Sequence, residues 1–263
     1  DQPRSRGRGD VYKRQDEKLG KNVILLGLCG SYSYGTNNEN SDIDIRGCAL
    51  NSKREILLGR DFEQITDIST DTVIFSFKKL VQLLTSCNPN VIELLGLKKE
   101  HYFEVTDIGR ELLDNKELFL SQRAVKSFMG YAEQQFHKLK NACADEKLYM
   151  AEAENRVEAH RQNLSKLEMN FVRVYYMGFD LLEKGVVKTF RDEEHDLLMG
   201  LRNGKFLTAE NKPAPEFFGL AEDLHNRFQY AAANTSLPHE PDIKRIEDFI
   251  ISVNSRVVSS TEA

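Results

Sequence analysis

Residues 41–50 of this 263-residue chain read SDIDIRGCAL, and two aspartates alternating with isoleucines constrain its fold more than any other feature. β-branched residues in strict alternation predict a strand. Side chains at i and i+2 of a strand share a face, so Asp42 and Asp44 stand side by side while Ile43 and Ile45 pack on the other side. Two carboxylates a few ångström apart repel, and a strand core is a costly place for either of them. A hard divalent cation is the natural compensation, because Mg²⁺ takes carboxylate oxygens and keeps its other positions for water and phosphate.

The segment ahead of this strand supplies the phosphate side of the argument. NVILLGLCG, residues 22–30, is an apolar run of strand length closed by glycine, suited to a strand covered on both faces. SYSYGTNN follows and predicts a short helical turn with Ser31 near its N-cap. Gly30, Ser31 and Gly35 would let a phosphate approach backbone amides closely. A phosphate-holding turn beside a metal-holding carboxylate pair describes a site for a nucleoside triphosphate.

Further along, DFEQITDIST reads as polar and irregular, TDTVIFSF as a third strand and KKLVQLLTSCN as a helix ending before Pro89. NPNVIELLGL restarts as a helix capped by Asn88 or Asn90, and HYFEV reads as an edge strand. From residue 119 the periodicity becomes helical. Ser121 to Lys147 and Ala151 to Lys184 are two long helices, and EEHDLLMGLRNG, PEFFGLAEDLHNRFQYAAA and PDIKRIEDFIISVNSR are three shorter ones. The expected fold is α+β: a small mixed β-sheet domain at 17–118 followed by an all-helical domain at 119–263.

Residues 1–16 carry five basic and three acidic residues, alternate arginine with glycine, and contrast with a chain whose net charge is -5. That arm reads as a disordered tail or a sequencing artefact, with an RNA-binding tail as the alternative. The overall acidity argues against a general electrostatic nucleic-acid coat. Four cysteines without zinc-finger or redox-pair spacing point to a reducing, cytoplasmic compartment, and no apolar run is long enough to span a membrane. The six histidines form no HExxH or Cys/His pattern, and neither a GxSxG elbow nor a Walker A loop occurs.

Gly-Ser, a few residues, Gly, a loop and Asp-x-Asp on the next strand resemble the DNA polymerase β nucleotidyltransferase superfamily, carried here by Gly30, Ser31, Gly35, Asp42 and Asp44. GSYSYG, SDIDIRG, NPNVIELLG, FMGYAEQQFHKL and LRNGKF are most similar to the bacterial and phage predicted nucleotidyltransferases associated with RNA-repair ligases. The resemblance implies a Mg²⁺-dependent transfer of a nucleoside monophosphate from a triphosphate such as ATP to a hydroxyl. Asp42, Asp44 and a third acid would hold two Mg²⁺ ions, with Mn²⁺ as a substitute. Asp71, opening TDTVIFSF, is favoured over Asp67 for that third role. Ser76 stands where the family pattern leads one to expect an acid, and Tyr32 where many relatives carry arginine. An RNA 3′ end is the implied acceptor; a small molecule or a protein, or a non-catalytic nucleotide-binding module, is the alternative. Base preference and oligomeric state are not legible.

With Tyr32 in the turn, positive charge for the triphosphate must come from elsewhere. Lys166 and Arg173, seven residues apart in SKLEMNFVRVYY, share one helix face and are the leading candidates, and the resemblance places Asn170 where relatives carry histidine. Arg46, Lys78 and Lys79 are others. Glu93 reads as a helix-pairing residue, and Tyr131 and Tyr175 as core aromatics.

Overall fold

A computed structural model describes residues 22–144 and 154–260; the arm at 1–16, the expected end of the first long helix at Lys147 and the start of the second at Ala151 lie outside them. The apolar run becomes β1 (Val23–Cys29), buried at every position. It feeds α1 (Gly30–Tyr34), whose N-cap is Cys29 rather than Ser31, without a side-chain capping bond. A loop then leads to β2 (Asp44–Ala49).

Ser52 caps α2 (Lys53–Leu58) through a reciprocal box with Glu55. DFEQITDIST, expected to be irregular, contains the strand β3 (Gln64–Asp67). Its side chains alternate exposed and half-buried because it is a sheet edge, so no apolar run announces it. β4 (Thr72–Ser76) leads directly into α3 (Phe77–Thr85), and Ser76 caps that helix by accepting from the Lys79 amide. NPNVIELLGL splits into α4 (Pro89–Ile92), capped by Asn88, and a 3₁₀ turn over Glu93–Gly96. β5 (Tyr102–Val105) and α5 (Asp107–Asp114) complete this half.

The strands form one mixed sheet in the order β3-β4-β2-β1-β5. β2 and β4 run parallel, with Ile45 beside Thr72 and Ala49 beside Ser76. β1 runs antiparallel to β2, and Cys29 lies opposite Asp44. The end of β1 and the starts of β2 and β4 therefore meet at one end of the sheet.

The helical half is built on α6 (Arg123–Cys143) and α7 (Glu154–Lys184), packed along each other, with α8 (His195–Arg202) and α9 (Pro215–Asn234) against α7. α10 (Ile243–Ser259) returns to the first half: it packs on α2, places Phe249 edge-on to Phe77 at 5.7 Å, and pairs Arg256 with Glu111 at 2.6 Å. One continuous cluster of buried residues runs from Ile24 to Val253. The change of character near residue 119 is thus a change of secondary structure inside a shared core. All four cysteines are free thiols, and among the described residues no helix is long and apolar enough to cross a membrane.

Candidate active site

The first half of the site follows from where β1 ends. Gly30 adopts φ +65°, and a Cβ built there would stand 1.7 Å from Asp44 Oδ2. Backbone and carboxylate are therefore in direct apposition, a closeness only glycine permits. Asp44 heads β2, and Asp71 precedes β4 in the left-handed region at φ +46°, a conformation aspartate tolerates better than most residues. The Ile45 amide donates to the Asp71 carbonyl at 3.0 Å and fastens that turn to β2. The Asp44 and Asp71 carboxyls consequently face the same cavity, near enough to interact. Burial and then Asp71 push Asp44 up to about 6, while Arg46 and Lys166 pull it down.

Asp42 lies just ahead of β2, in a loop pinned by Asn38. The Asn38 amide donates to Ser41 Oγ at 2.8 Å, and Ser41 Oγ donates to Asn38 Oδ1 at 3.0 Å. Asp42, Asp44 and Asp71 line one cavity of about 190 Å³ together with Gly30, Ser31, Lys166 and Arg173. Among the described residues no three ligating side chains stand close enough to form a ready-made metal cage. The chemistry of the donors nonetheless fits a hard cation: all are carboxylate oxygens, and burial and then the neighbouring Asp71 already make the Asp44 charge unfavourable without a counter-ion.

Other expected residues fall elsewhere. Asp67 is half-buried at the end of β3 and bound to its own turn, accepting from the Ser69 amide at 2.9 Å. Gly35 does not line the cavity; it ends α1 at φ +75°, where a Cβ would meet Phe190 at 2.6 Å. Lys78 and Lys79 pair with Asp61 at 3.3 Å and Glu63 at 2.9 Å. They follow Ser76, which sits roughly 16 Å along β4 from the aspartates at strand rise. Ser76 is thus a helix cap that does not line the cavity. Tyr175 belongs to an aromatic cluster with Phe171 and Phe228, as expected of a core residue.

Three residues enter the site that sequence reasoning passed over or read otherwise. Tyr131 of α6 lines the cavity. Glu93, read as a helix-pairing residue, is 1% exposed behind the cavity wall. It accepts from the Tyr34 hydroxyl and pairs with Arg46 at 3.7 Å. Burial pushes its carboxyl up to about 8, opposed by Arg173. Arg173 is itself only 4% exposed, lies over the Tyr34 ring at 3.7 Å, and donates from Nη1 to Met177 Sδ. The third residue, Arg202 at the end of α8, reaches the cavity from LRNGKF and donates to Ser41 Oγ at 3.1 Å.

The segment between α7 and α8 holds this wall in place. The Arg191 amide donates to the Tyr34 carbonyl at 3.0 Å, and Thr189 Oγ1 donates to the Glu93 carbonyl at 2.8 Å.

With a mixed sheet whose acids crowd a glycine-serine turn, closed over by helices, the protein falls among the polymerase β-like nucleotidyltransferases. More narrowly, the chain belongs to the RNA repair pathway DNA polymerase beta family, whose model matches residues 10–252. A protein of Enterobacteria phage T4, described as an uncharacterized 38.9 kDa protein in the nrdC-mobD intergenic region, is 25% identical over 129 residues. That match covers 44% of this chain and 38% of the phage protein, so the chain spans well under half of that relative. The crystal structure of a nucleotidyltransferase-like protein from Exiguobacterium sibiricum, 12% identical, aligns over 95% of this chain and 78% of its own with a TM-score of 0.32.

Proposed function

We propose that the protein transfers a nucleoside monophosphate from a nucleoside triphosphate to a hydroxyl acceptor, with Mg²⁺ or Mn²⁺ held by Asp42, Asp44 and Asp71, and that the acceptor is an RNA 3′ end. The observation that carries this reading is the convergence of Asp42, Asp44 and Asp71 on one cavity that also receives Lys166 and the Gly30-Ser31 turn. Bound metal would neutralise the triphosphate and lower the barrier to attack by the acceptor hydroxyl. Gly30 and Ser31 offer backbone to a phosphate, and Lys166, exposed on α7, offers an ammonium. The acceptor oxygen forms a bond to the α-phosphorus as the bond to pyrophosphate breaks, and Asp71 stands to take the hydroxyl proton. Arg173 serves the wall: its charge faces Glu93 and its plane supports Tyr34.

The family description supports RNA as the acceptor, and free thiols support a reducing compartment, the cytoplasm. A second reading, a small-molecule or protein acceptor, is favoured by the net charge of -5. Incubation with α-phosphate-labelled nucleoside triphosphates, Mg²⁺, and RNA, protein or small hydroxyl acceptors separates the two. The expected result is labelled RNA extended at its 3′ end, lost in Asp44→Asn. Label on another acceptor supports the second reading, and transfer retained by Asp44→Asn overturns both.

A further inference from the structure

The cavity receives Arg202 from α8, and the state of that guanidinium is unlike that of the other arginines around it. Arg46 is paired with Glu93 at 3.7 Å and also donates to the Asn90 carbonyl. Arg173 lies inside the wall, stacked on Tyr34 and facing Glu93. Arg202 has one bond, from Nη2 to Ser41 Oγ at 3.1 Å, while its Nε and Nη1 are shielded from solvent and lack any hydrogen-bond partner. Among the described residues it forms no ion pair with a carboxylate, and burial alone lowers its affinity for its proton.

A cation withdrawn from water without a counter-ion is unfavourable, and unmade bonds on two nitrogens add to that cost. Proteins retain such an arrangement where something else completes it. The missing partner must be an anion with at least two acceptor oxygens, because the unpaired Nε–H and Nη1–H belong to different edges of the guanidinium and one oxygen cannot meet both. Phosphate is the better match here, since the same cavity presents Lys166 and the Gly30-Ser31 backbone to an anionic group.

We propose that Arg202 is a phosphate-binding residue of this cavity, receiving the polyphosphate of the nucleotide between its unpaired guanidinium and Lys166. The inference rests on the nucleotidyltransferase reading and reassigns the second cation: Arg202, rather than Arg173, is the partner of Lys166. It also gives the bond to Ser41 a purpose. Ser41 immediately precedes Asp42, so the residue that grips the phosphate also steadies the loop carrying a proposed metal ligand. Nucleotide binding would then tie α8 to the sheet half of the molecule.

Calorimetric titration with inorganic tripolyphosphate and with a nucleoside triphosphate, both with Mg²⁺, tests this on the full chain. The expected result is that Arg202→Ala weakens both by about tenfold or more, the loss typical of a charge-assisted pair, while Arg202→Lys recovers part of it. Arg173→Lys, which keeps the charge in the wall, is expected to weaken tripolyphosphate binding far less. Ser41→Ala removes the bond between α8 and the loop, together with the two bonds of Ser41 Oγ to Asn38, and leaves the Arg202 guanidinium in place. If Ser41→Ala loses as much affinity as Arg202→Ala, Arg202 is a structural latch and the proposal fails. It fails equally if Arg202→Ala, shown folded by its unchanged circular dichroism, binds tripolyphosphate like the wild type. Should Arg202→Ala not fold, Arg202→Lys and Arg202→Gln carry the comparison, and equal affinity in both overturns the proposal. A wild-type protein that binds neither tripolyphosphate nor nucleotide overturns the functional reading itself, a different outcome from wild-type binding that ignores Arg202.

Discussion

Gly30 is required for two separate reasons: its φ of +65° lies in the left-handed region, and any Cβ would collide with Asp44 Oδ2. The backbone cost of a non-glycine residue alone is roughly 1–2 kcal/mol. Gly30→Ala is therefore expected to lower the melting temperature and to abolish transfer by displacing Asp44. A fully active Gly30→Ala enzyme would contradict that apposition. Asp71 and Asp67 separate as cleanly. Asparagine suits a φ of +46° as well as aspartate does, so Asp71→Asn should fold normally yet reduce turnover by about two orders of magnitude. Asp67→Asn, at the end of β3, should stay within about twofold of wild type, because the change touches nothing that lines the cavity. Turnover measured for the pair decides the third carboxylate, and the reverse ranking would move it to Asp67. Spacing singled out Gly30, Ser31, Asp42 and Asp44, and the family resemblance Asp71; all five line one cavity, though Asp42 does so from the loop ahead of β2 and not from the strand that parity assigned it. Glu93 and Arg202 were not legible: each is defined by partners far away in sequence, Tyr34 and Arg46 for one and Ser41 for the other.

At the scale of elements, the sheet was legible wherever an apolar run marked a buried strand, as in β1 and β4. β3 escaped because QITD is an edge strand whose side chains meet solvent. The role of Ser76 escaped because parallel register with Ala49, which carries it away from the aspartates, is a long-range fact. Ser76→Ala is accordingly expected to cost about 1 kcal/mol of stability through loss of the α3 cap, with kcat and KM unchanged. A collapse of kcat in that variant would restore a catalytic meaning to the position. The 3₁₀ turn carrying Glu93 has a pH signature. Burial raises its carboxyl from an ordinary 4.5 to about 8, and Glu168 on α7, buried with neither oxygen bonded, is raised likewise. A raised acid binds more protons folded than unfolded, so its stabilising contribution is complete below 4.5 and is lost as pH rises through about 8. Denaturant midpoints should fall across that window. Glu93→Gln should remove part of the slope, Glu168→Gln another part, and the double variant most of it; an unchanged slope in the double variant would contradict the assignment.

Over the whole molecule, the site is assembled from parts that no single half contains. The sheet brings the three aspartates and Gly30, α6 brings Tyr131, α7 brings Lys166, and α8 brings Arg202. The segment before α8 then locks Tyr34 and Glu93 from behind. An α+β layout with a helical second half was legible from periodicity. The return of α10 onto α2 and Phe77 was not, since an amphipathic helix does not state which neighbour it will cover. If RNA is the acceptor, its affinity should fall with salt by about 0.7 log unit per log unit of salt for each phosphate contact, and Lys166→Ala should flatten that slope. A flat wild-type slope would favour a small acceptor. The claim beneath all of these is that the aspartates hold a metal-triphosphate complex, and thermal denaturation reads it most directly. Without Mg²⁺, the double variant Asp42→Asn with Asp44→Asn should melt at or above the wild-type temperature, because like charges have been removed. With Mg²⁺ and a non-hydrolysable nucleoside triphosphate, the wild type should gain several degrees and the double variant almost none. Equal gains in both proteins would contradict the account.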